Sequence, residues 1–345
     1  MTIKRSIEIV ESHNLKPADL AAMKEYSKFL ESKNLPVIYN SRHLSQLVGI
    51  DLNYLYAVSN NTSEHYRQFK ISKKGGGQRK ITAPLPTLML AQSWILNKIL
   101  TKISVHKASK AYVKGTSIKI NARLHRKPKN LFITDISDFF GSIKRHQIRT
   151  IFYSAGYSDA LSVLLTNLCC LNGSLPQGAP TSGYLSNIVM FSFDENMLNY
   201  AQSNKLKYSR YADDIAISGE EISFDQIKTV VNNELEKINL KINIKKTKLL
   251  KRHNRQKVTG IVVNEKLNLQ RDYLRRIRQE YYYVKKYGYQ GHSNFIEETN
   301  SEYILERLIG KITHALHIKP YDKTLKGMKS DLLKLKEKNK PYLSD

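Results

Sequence analysis

Apolar positions change period several times along this chain. Over residues 1–60 they mix with polar ones at helical spacing, and Ser41-Arg42-His43-Leu44-Ser45-Gln46-Leu47-Val48 reads as a short helix with Ser41 as its N-cap. A strand-like Phe69-Lys70-Ile71-Ser72, a glycine-rich turn over 73–78 and Arg79-Lys80-Ile81-Thr82-Ala83-Pro84 predict a basic β-hairpin. Leucines and isoleucines at 88, 90, 95, 96, 99, 100 and 103 predict a helix. The apolar run 131–136 predicts a buried strand, and helical periodicity resumes over 145–153 and 159–170. A turn-rich Leu175-Pro176-Gln177-Gly178-Ala179-Pro180-Thr181-Ser182 opens a helix that ends near Gln202. Two β-prone runs, 207–210 and 215–218, then meet at small and acidic residues, which predicts a hairpin with Asp213 and Asp214 at its tip. A helix over 223–239, strands near 241–250 and over 258–263, and helices beyond Leu269 complete the pattern. Strands interleaved with helices and followed by a helical tail predict an α+β fold with a separate C-terminal helical module.

Charge sharpens this outline. The 345 residues carry 56 Lys and Arg against 30 Asp and Glu, a net charge of +26. The excess is spread along the chain: from His65 to Thr134 there are sixteen basic residues and no acid. A second acid-free run, Lys237 to Asn264, holds nine more. Such a surface is suited to a polyanion, and nucleic acid is the natural one. No apolar signal core, amphipathic anchor, lipidation signal or run long enough to cross a bilayer is visible, so a cytoplasmic protein without a membrane partner is expected. The neighbouring Cys169 and Cys170 have no zinc-ligand spacing around them and read as core residues.

Against this background the carboxylates stand out. Adjacent Asp213 and Asp214 repel one another unless a cation lies between them. Asp135, the first acid after Glu64, ends an apolar strand, a costly position without a partner. Asp138, three residues on, reads as a helix N-cap.

Taken in order, a carboxylate ending a strand (Asp135), a Leu-Pro-Gln-Gly turn (175–178) and a Tyr-Ala-Asp-Asp hairpin (211–214) resemble the reverse transcriptase family. Asn121-Ala122-Arg123-Leu124-His125 and Val258-Thr259-Gly260 are similar to two elements of its bacterial retron branch. The resemblance implies a right-hand polymerase architecture with an antiparallel palm sheet. Its divisions fall at 1–65 (N-terminal helical region), 66–130 (fingers), 131–265 (palm with interleaved fingers helices) and 266–345 (helical thumb). It implies that Asp135, Asp213 and Asp214 hold two Mg2+ ions about 4 Å apart for phosphoryl transfer.

Arg79, with Lys80 and the lysines at 73 and 74, matches the residues that grip the incoming triphosphate. Gln177 lies where relatives place the nucleotide sugar and base, and Phe140 occupies the position of the steric gate against a 2′-hydroxyl. Lys246 resembles a lysine proposed to protonate pyrophosphate, with backbone binding as its other reading. Asn121, His125, the Val258-Thr259-Gly260 element, Arg275 and Arg278 are the candidates for RNA recognition. The implied substrates are deoxynucleoside triphosphates and a cognate structured non-coding RNA. That RNA would be copied from a guanosine 2′-hydroxyl primer into branched multicopy single-stranded DNA (msDNA). A separate effector protein and a place in antiphage defence are implied as well. Two alternatives stay open: an RNA-binding scaffold that restrains an effector, and a group II intron-like or diversity-generating reverse transcriptase.

Overall fold

The computed structural model describes residues 17–72, 76–295 and 301–338. Its strands are β1 (Tyr66–Ser72), β2 (Gln78–Pro84), β3 (Asn130–Asp135), β4 (Lys207–Tyr211), β5 (Asp214–Gly219), β6 (Lys248–Lys251), β7 (Lys257–Val258) and β8 (Ile261–Val262). They form a four-stranded sheet of order β4-β5-β3-β6 and two separate hairpins, β1-β2 and β7-β8. The pairings β1-β2, β3-β6, β4-β5 and β7-β8 are all antiparallel. The fold is thus a mixture of helices and antiparallel strands that ends in helices.

The chain divides into two compact units, each discontinuous in sequence. The first comprises residues 1–114, 135–199 and 228–243. Its core is apolar, with Leu55, Leu88, Ile95, Ile148, Phe152, Leu165 and Leu168 at most 1% exposed. Gln92 is wholly buried and donates through Nε2 to the Tyr66 hydroxyl and to the Leu168 carbonyl, both at 2.8 Å. It thereby ties the start of β1 to the helices Pro86–Lys98 and Asp159–Cys169. Cys169 and Cys170 are buried here as free thiols, and burial pushes the Cys170 thiol up to about 12.

The helix Ser41–Val48 is capped one residue earlier than its sequence suggests. Asn40, in extended conformation, accepts from the His43 N–H at 2.9 Å, so Ser41 is the first helical residue and not the cap.

The second unit comprises residues 115–134, 200–227 and 244–345. One continuous cluster runs from Ala122, Leu131 and Ala216 through Val258, Ile261 and Leu274 to Leu308, Ile312 and Leu332. The C-terminal helices are therefore packed on the same core as the strands. Along Arg271–Phe295, Leu274, Ile277 and Val284 recur on one buried face. Gly288, at φ 70° and ψ 163°, breaks this helix, a conformation that only glycine adopts freely.

Two predicted strands are altered. Residues 241–250 become a single bridge at Ile242, a 3-10 turn Ile244–Lys246 and then β6, with Lys245 and Lys246 exposed to solvent. Residues 258–263 are the short hairpin β7-β8, folded back at Thr259 and Gly260 with φ of 47° and 82°. Positive φ at both central residues is the requirement of a type I′ turn.

Candidate active site

The aspartate hairpin has the tightest possible connection. Tyr211 pairs with Asp214, leaving Ala212 and Asp213 as a two-residue loop. Asp214 is thus the first residue of β5 and Asp213 the turn residue beside it. Ala212 takes φ 57°, the sign that a II′-type loop needs at its first position and one that glycine fills more cheaply. Arg210 compensates: wholly buried, it donates from Nη1 to the Ala212 carbonyl at 2.9 Å. The turn carrying Asp213 is therefore held by a cation beneath it.

A second device fixes both strands. His125 follows the helix Ile118–Leu124, one turn after Asn121. Its Nδ1 lies 2.7 Å from Ser218 Oγ on β5, and its Nε2 lies 2.8 Å from Ser209 Oγ on β4. Ser209 in turn donates to Asn121 Oδ1 at 2.6 Å. Because the Ser209 hydrogen is committed to Asn121, its oxygen accepts from Nε2–H, and Nδ1 accepts from Ser218. The imidazole is thus a neutral Nε2–H tautomer. Burial, with Lys207 nearby as a smaller cause, lowers its pKa to about 3 and keeps it uncharged.

The sequence suggested an RNA-binding role for Asn121 and His125. At 1% and 0% exposure neither side chain reaches a surface, so neither is placed to touch RNA. What the pair does is clamp the aspartate hairpin onto the helix before β3.

A third carboxylate ends a neighbouring strand. β3, which ends on Asp135, is the neighbour of β5, which begins on Asp214. The Thr134 and Thr247 hydroxyls, 2.7 Å apart, tie the end of β3 to the segment entering β6. Among the described residues no three or more His, Cys, Asp or Glu side chains form a cage that could hold a metal ion. Magnesium does not require one, since it binds through one or two carboxylates together with substrate phosphates and water. Hard carboxylate oxygens suit that ion. Asp138 does not act as an N-cap: it precedes the short helix Phe139–Ser142 at φ 40°, and its side chain accepts no capping hydrogen bond. Its carboxylate instead lies against Gly141, where a side chain would collide with it.

In the first unit, the Leu-Pro-Gln-Gly turn sits on β2. The Thr82 N–H donates to the Gln177 carbonyl at 2.8 Å, and Gly178, at φ 134°, passes so close that a Cβ would lie 2.9 Å from the Thr82 carbonyl oxygen. Only glycine allows that approach. Arg79 and Lys80 stand exposed on the same strand, two or three residues before Thr82. Phe140 is half-buried, its ring 5.3 Å from Phe139 and 6.3 Å from Tyr112 between centroids. The lysines at 73 and 74 lie outside the described residues.

The remaining candidates lie in the second unit. Val258 is buried and Gly260 exposed, while Thr259 Oγ1 reaches the Ile118 carbonyl at 3.4 Å. Lys246 is exposed on its 3-10 turn. Arg275, Arg278 and Tyr282 share the outer face of the helix at i, i+3 and i+7, with Tyr282 54% exposed. Lys286 stands over the Tyr282 and Tyr287 rings at 5.8 and 5.0 Å. Tyr281, by contrast, packs on the core and donates to Asp331 at 2.5 Å.

Sequence reasoning missed Arg210, Ser209 and Ser218. The only local signal was an arginine inside a strand just ahead of the acids. The serines' partners lie more than eighty residues away.

These motifs on this sheet define a class. The reverse transcriptase (RNA-dependent DNA polymerase) family matches residues 71–263. The Retron Ec86 reverse transcriptase of Escherichia coli is 32% identical over 263 residues, spanning 74% of this chain and 81% of that protein. The Retron Ec83 reverse transcriptase of the same species is 32% identical over 240 residues, 64% of this chain and 76% of the relative. The Retron Mx162 reverse transcriptase of Myxococcus xanthus is 28% identical over 265 residues; this chain spans 66% of itself and about half, 54%, of that longer protein. The chain belongs to the retron reverse transcriptases, RNA-directed DNA polymerases. No helix among the described residues is long and apolar enough to cross a membrane.

Proposed function

We propose that the aspartate hairpin and the end of β3 together form the nucleotidyl-transfer centre. Asp135, Asp213 and Asp214 supply the oxygen ligands for two Mg2+ ions, which neutralise charge on the attacking and leaving oxygens. The observation that carries this reading is the strand order, in which β3 and β5 are neighbours and each has an aspartate at the relevant terminus. In this reading the β1-β2 hairpin serves as fingers, the four-stranded sheet as palm and the C-terminal helices as thumb. Arg79 and Lys80 grip the triphosphate, Gln177 borders the nucleotide, and Phe140 excludes a 2′-hydroxyl. Lys246 serves the nucleic-acid backbone.

The substrate is a cognate structured non-coding RNA, part of which is copied from a guanosine 2′-hydroxyl to give msDNA. The face of Arg275, Arg278 and Tyr282 lays cations on phosphates and a ring against unpaired bases, and the Thr259-Gly260 tip lies in the same unit as a second RNA contact. An effector protein bound to this ribonucleoprotein and a role in antiphage defence complete the proposal.

Asp213→Asn should abolish DNA synthesis, a loss on the order of 10³-fold or more, while binding of the RNA is retained. Synthesis near the wild-type rate would remove the hairpin from the chemistry. Branched, DNase- and RNase-sensitive nucleic acid should copurify with the wild-type chain; unbranched or absent nucleic acid contradicts the priming proposal.

A further inference from the structure

Tyr112 combines three features that ordinary surface residues lack. Its backbone takes φ 58°, a left-handed conformation that a bulky side chain rarely adopts. Its ring is 53% exposed, although nothing in its sequence neighbourhood calls for an aromatic at the surface. The base of that ring lies directly over Gly183: a Cβ there would stand 2.5 Å from Tyr112 Cγ and 2.6 Å from Cδ1. The helix Ser182–Val189 thus leaves a side-chain-sized gap that the ring fills.

The strained backbone is held from the same helix. Asn187, fully buried, accepts from Ser109 Oγ and donates to the Ala111 carbonyl, both at 2.7 Å, which fixes the residues leading into Tyr112. Strain that neighbouring structure over-determines in this way collects at functional sites. What the strain delivers is ring placement. The Tyr112 and Phe140 centroids lie 6.3 Å apart with planes inclined at 56°, inside the range of a favourable aromatic pair.

We propose that Tyr112 is a specificity-determining residue for the deoxyribonucleoside triphosphate, positioning the Phe140 ring against which the sugar is judged. This rests on the reading of Phe140 as the sugar gate and deepens it. A gate that discriminates by collision works only if it cannot swing away. Among the described residues, half-buried Phe140 pairs with two rings, Phe139 and Tyr112, and of these Tyr112 is the one presented at the surface. Tyr112 acts through Phe140, so its ring matters and its hydroxyl does not.

The test is the ratio of kcat/KM for a deoxynucleotide to that for the matching ribonucleotide, measured on the full chain with its RNA. Tyr112→Asn keeps a residue that tolerates positive φ and removes the ring, and Tyr112→Leu keeps volume without aromaticity. Both should lower the ratio about 3- to 10-fold, the equivalent of one aromatic contact. Tyr112→Phe should leave it unchanged, and Gly183→Ala, which displaces the ring while keeping Tyr112, should lower it as Tyr112→Asn does. Phe140→Ala is the control and should lower it further. If Phe140→Ala lowers the ratio and the Tyr112 and Gly183 variants slow both substrates equally, Tyr112 is merely structural and this inference fails. If Phe140→Ala leaves the ratio unchanged, the gate reading itself fails, and this inference with it.

Discussion

The two long hairpins solve opposite problems. β1-β2 is exposed along most of β1 and the first half of β2, and carries Arg67, Lys70, Arg79 and Lys80 into solvent. β4-β5 is buried at seven of its eleven positions, shielded by a neutral histidine, two serines, an asparagine and a buried arginine. Cations that meet a mobile, highly charged substrate keep their hydration until it arrives. Carboxylates that must share metal ions tolerate little displacement, since catalytic electrostatics depends on groups already in place. Rigidity is therefore concentrated under the acids, and exposed charge on the other hairpin.

The contrast breaks most visibly at His125. Replacing it with alanine leaves the Ser218 hydroxyl without its buried acceptor, at about 1–3 kcal/mol, while Ser209 keeps its bond to Asn121. Stability should fall by at least about that amount, and DNA synthesis should fall with it, whereas an exposed cation should cost almost no stability. Equilibrium denaturation reads the first effect; an unchanged midpoint would mean that the network is dispensable.

The same histidine has a pH signature. Its folded pKa of about 3 lies below the unfolded value of 6.5, so the unfolded chain binds the extra proton. Its contribution is complete above pH 6.5 and is lost as pH falls from there toward 3, with a slope of up to about 1.4 kcal/mol per unit. Comparison of wild type with His125→Gln over that window should show a shallower slope in the variant. Parallel curves would contradict the buried neutral assignment.

On the other hairpin, Arg79→Ala should raise KM for the deoxynucleotide about 10-fold or somewhat more, the worth of one charge-assisted contact, with the denaturation midpoint unmoved. A fall in stability with KM unchanged would assign Arg79 to structure. The smallest effect concerns the β7-β8 turn. Thr259, β-branched at φ 47°, is strained, and Thr259→Gly should change stability by no more than about 1 kcal/mol, in the stabilising direction. A loss of RNA affinity without a loss of stability in this variant would support its proposed role at the RNA.

How much of this was legible in the chain varies with the range of the interaction. The aspartate hairpin, the turn at Gln177-Gly178 and the helical tail are written in local period and turn chemistry, and they stand where the sequence put them. Asn121 and His125 stood out as a motif, but their purpose depends on serines on two strands far along the chain, which no local pattern reveals. Arg210 is missed for the same reason: a strand pattern shows alternation without saying which carbonyl a buried guanidinium will find. Val258–Val263 misled because an apolar run looks continuous while Thr259 and Gly260 reverse the chain. Asp138 stood in the N-cap position, yet its side chain accepts no capping hydrogen bond and its carboxylate lies against Gly141.

Single-turnover incorporation of one deoxynucleotide tests the central claim most directly, using Asp135→Asn, Asp213→Asn and the double variant on a preformed RNA complex. If the three carboxylates act as one constellation, each single change slows the step on the order of 10³-fold or more, and the double is scarcely slower than the worse single. A near-normal rate for Asp135→Asn, or losses that simply multiply, would contradict it.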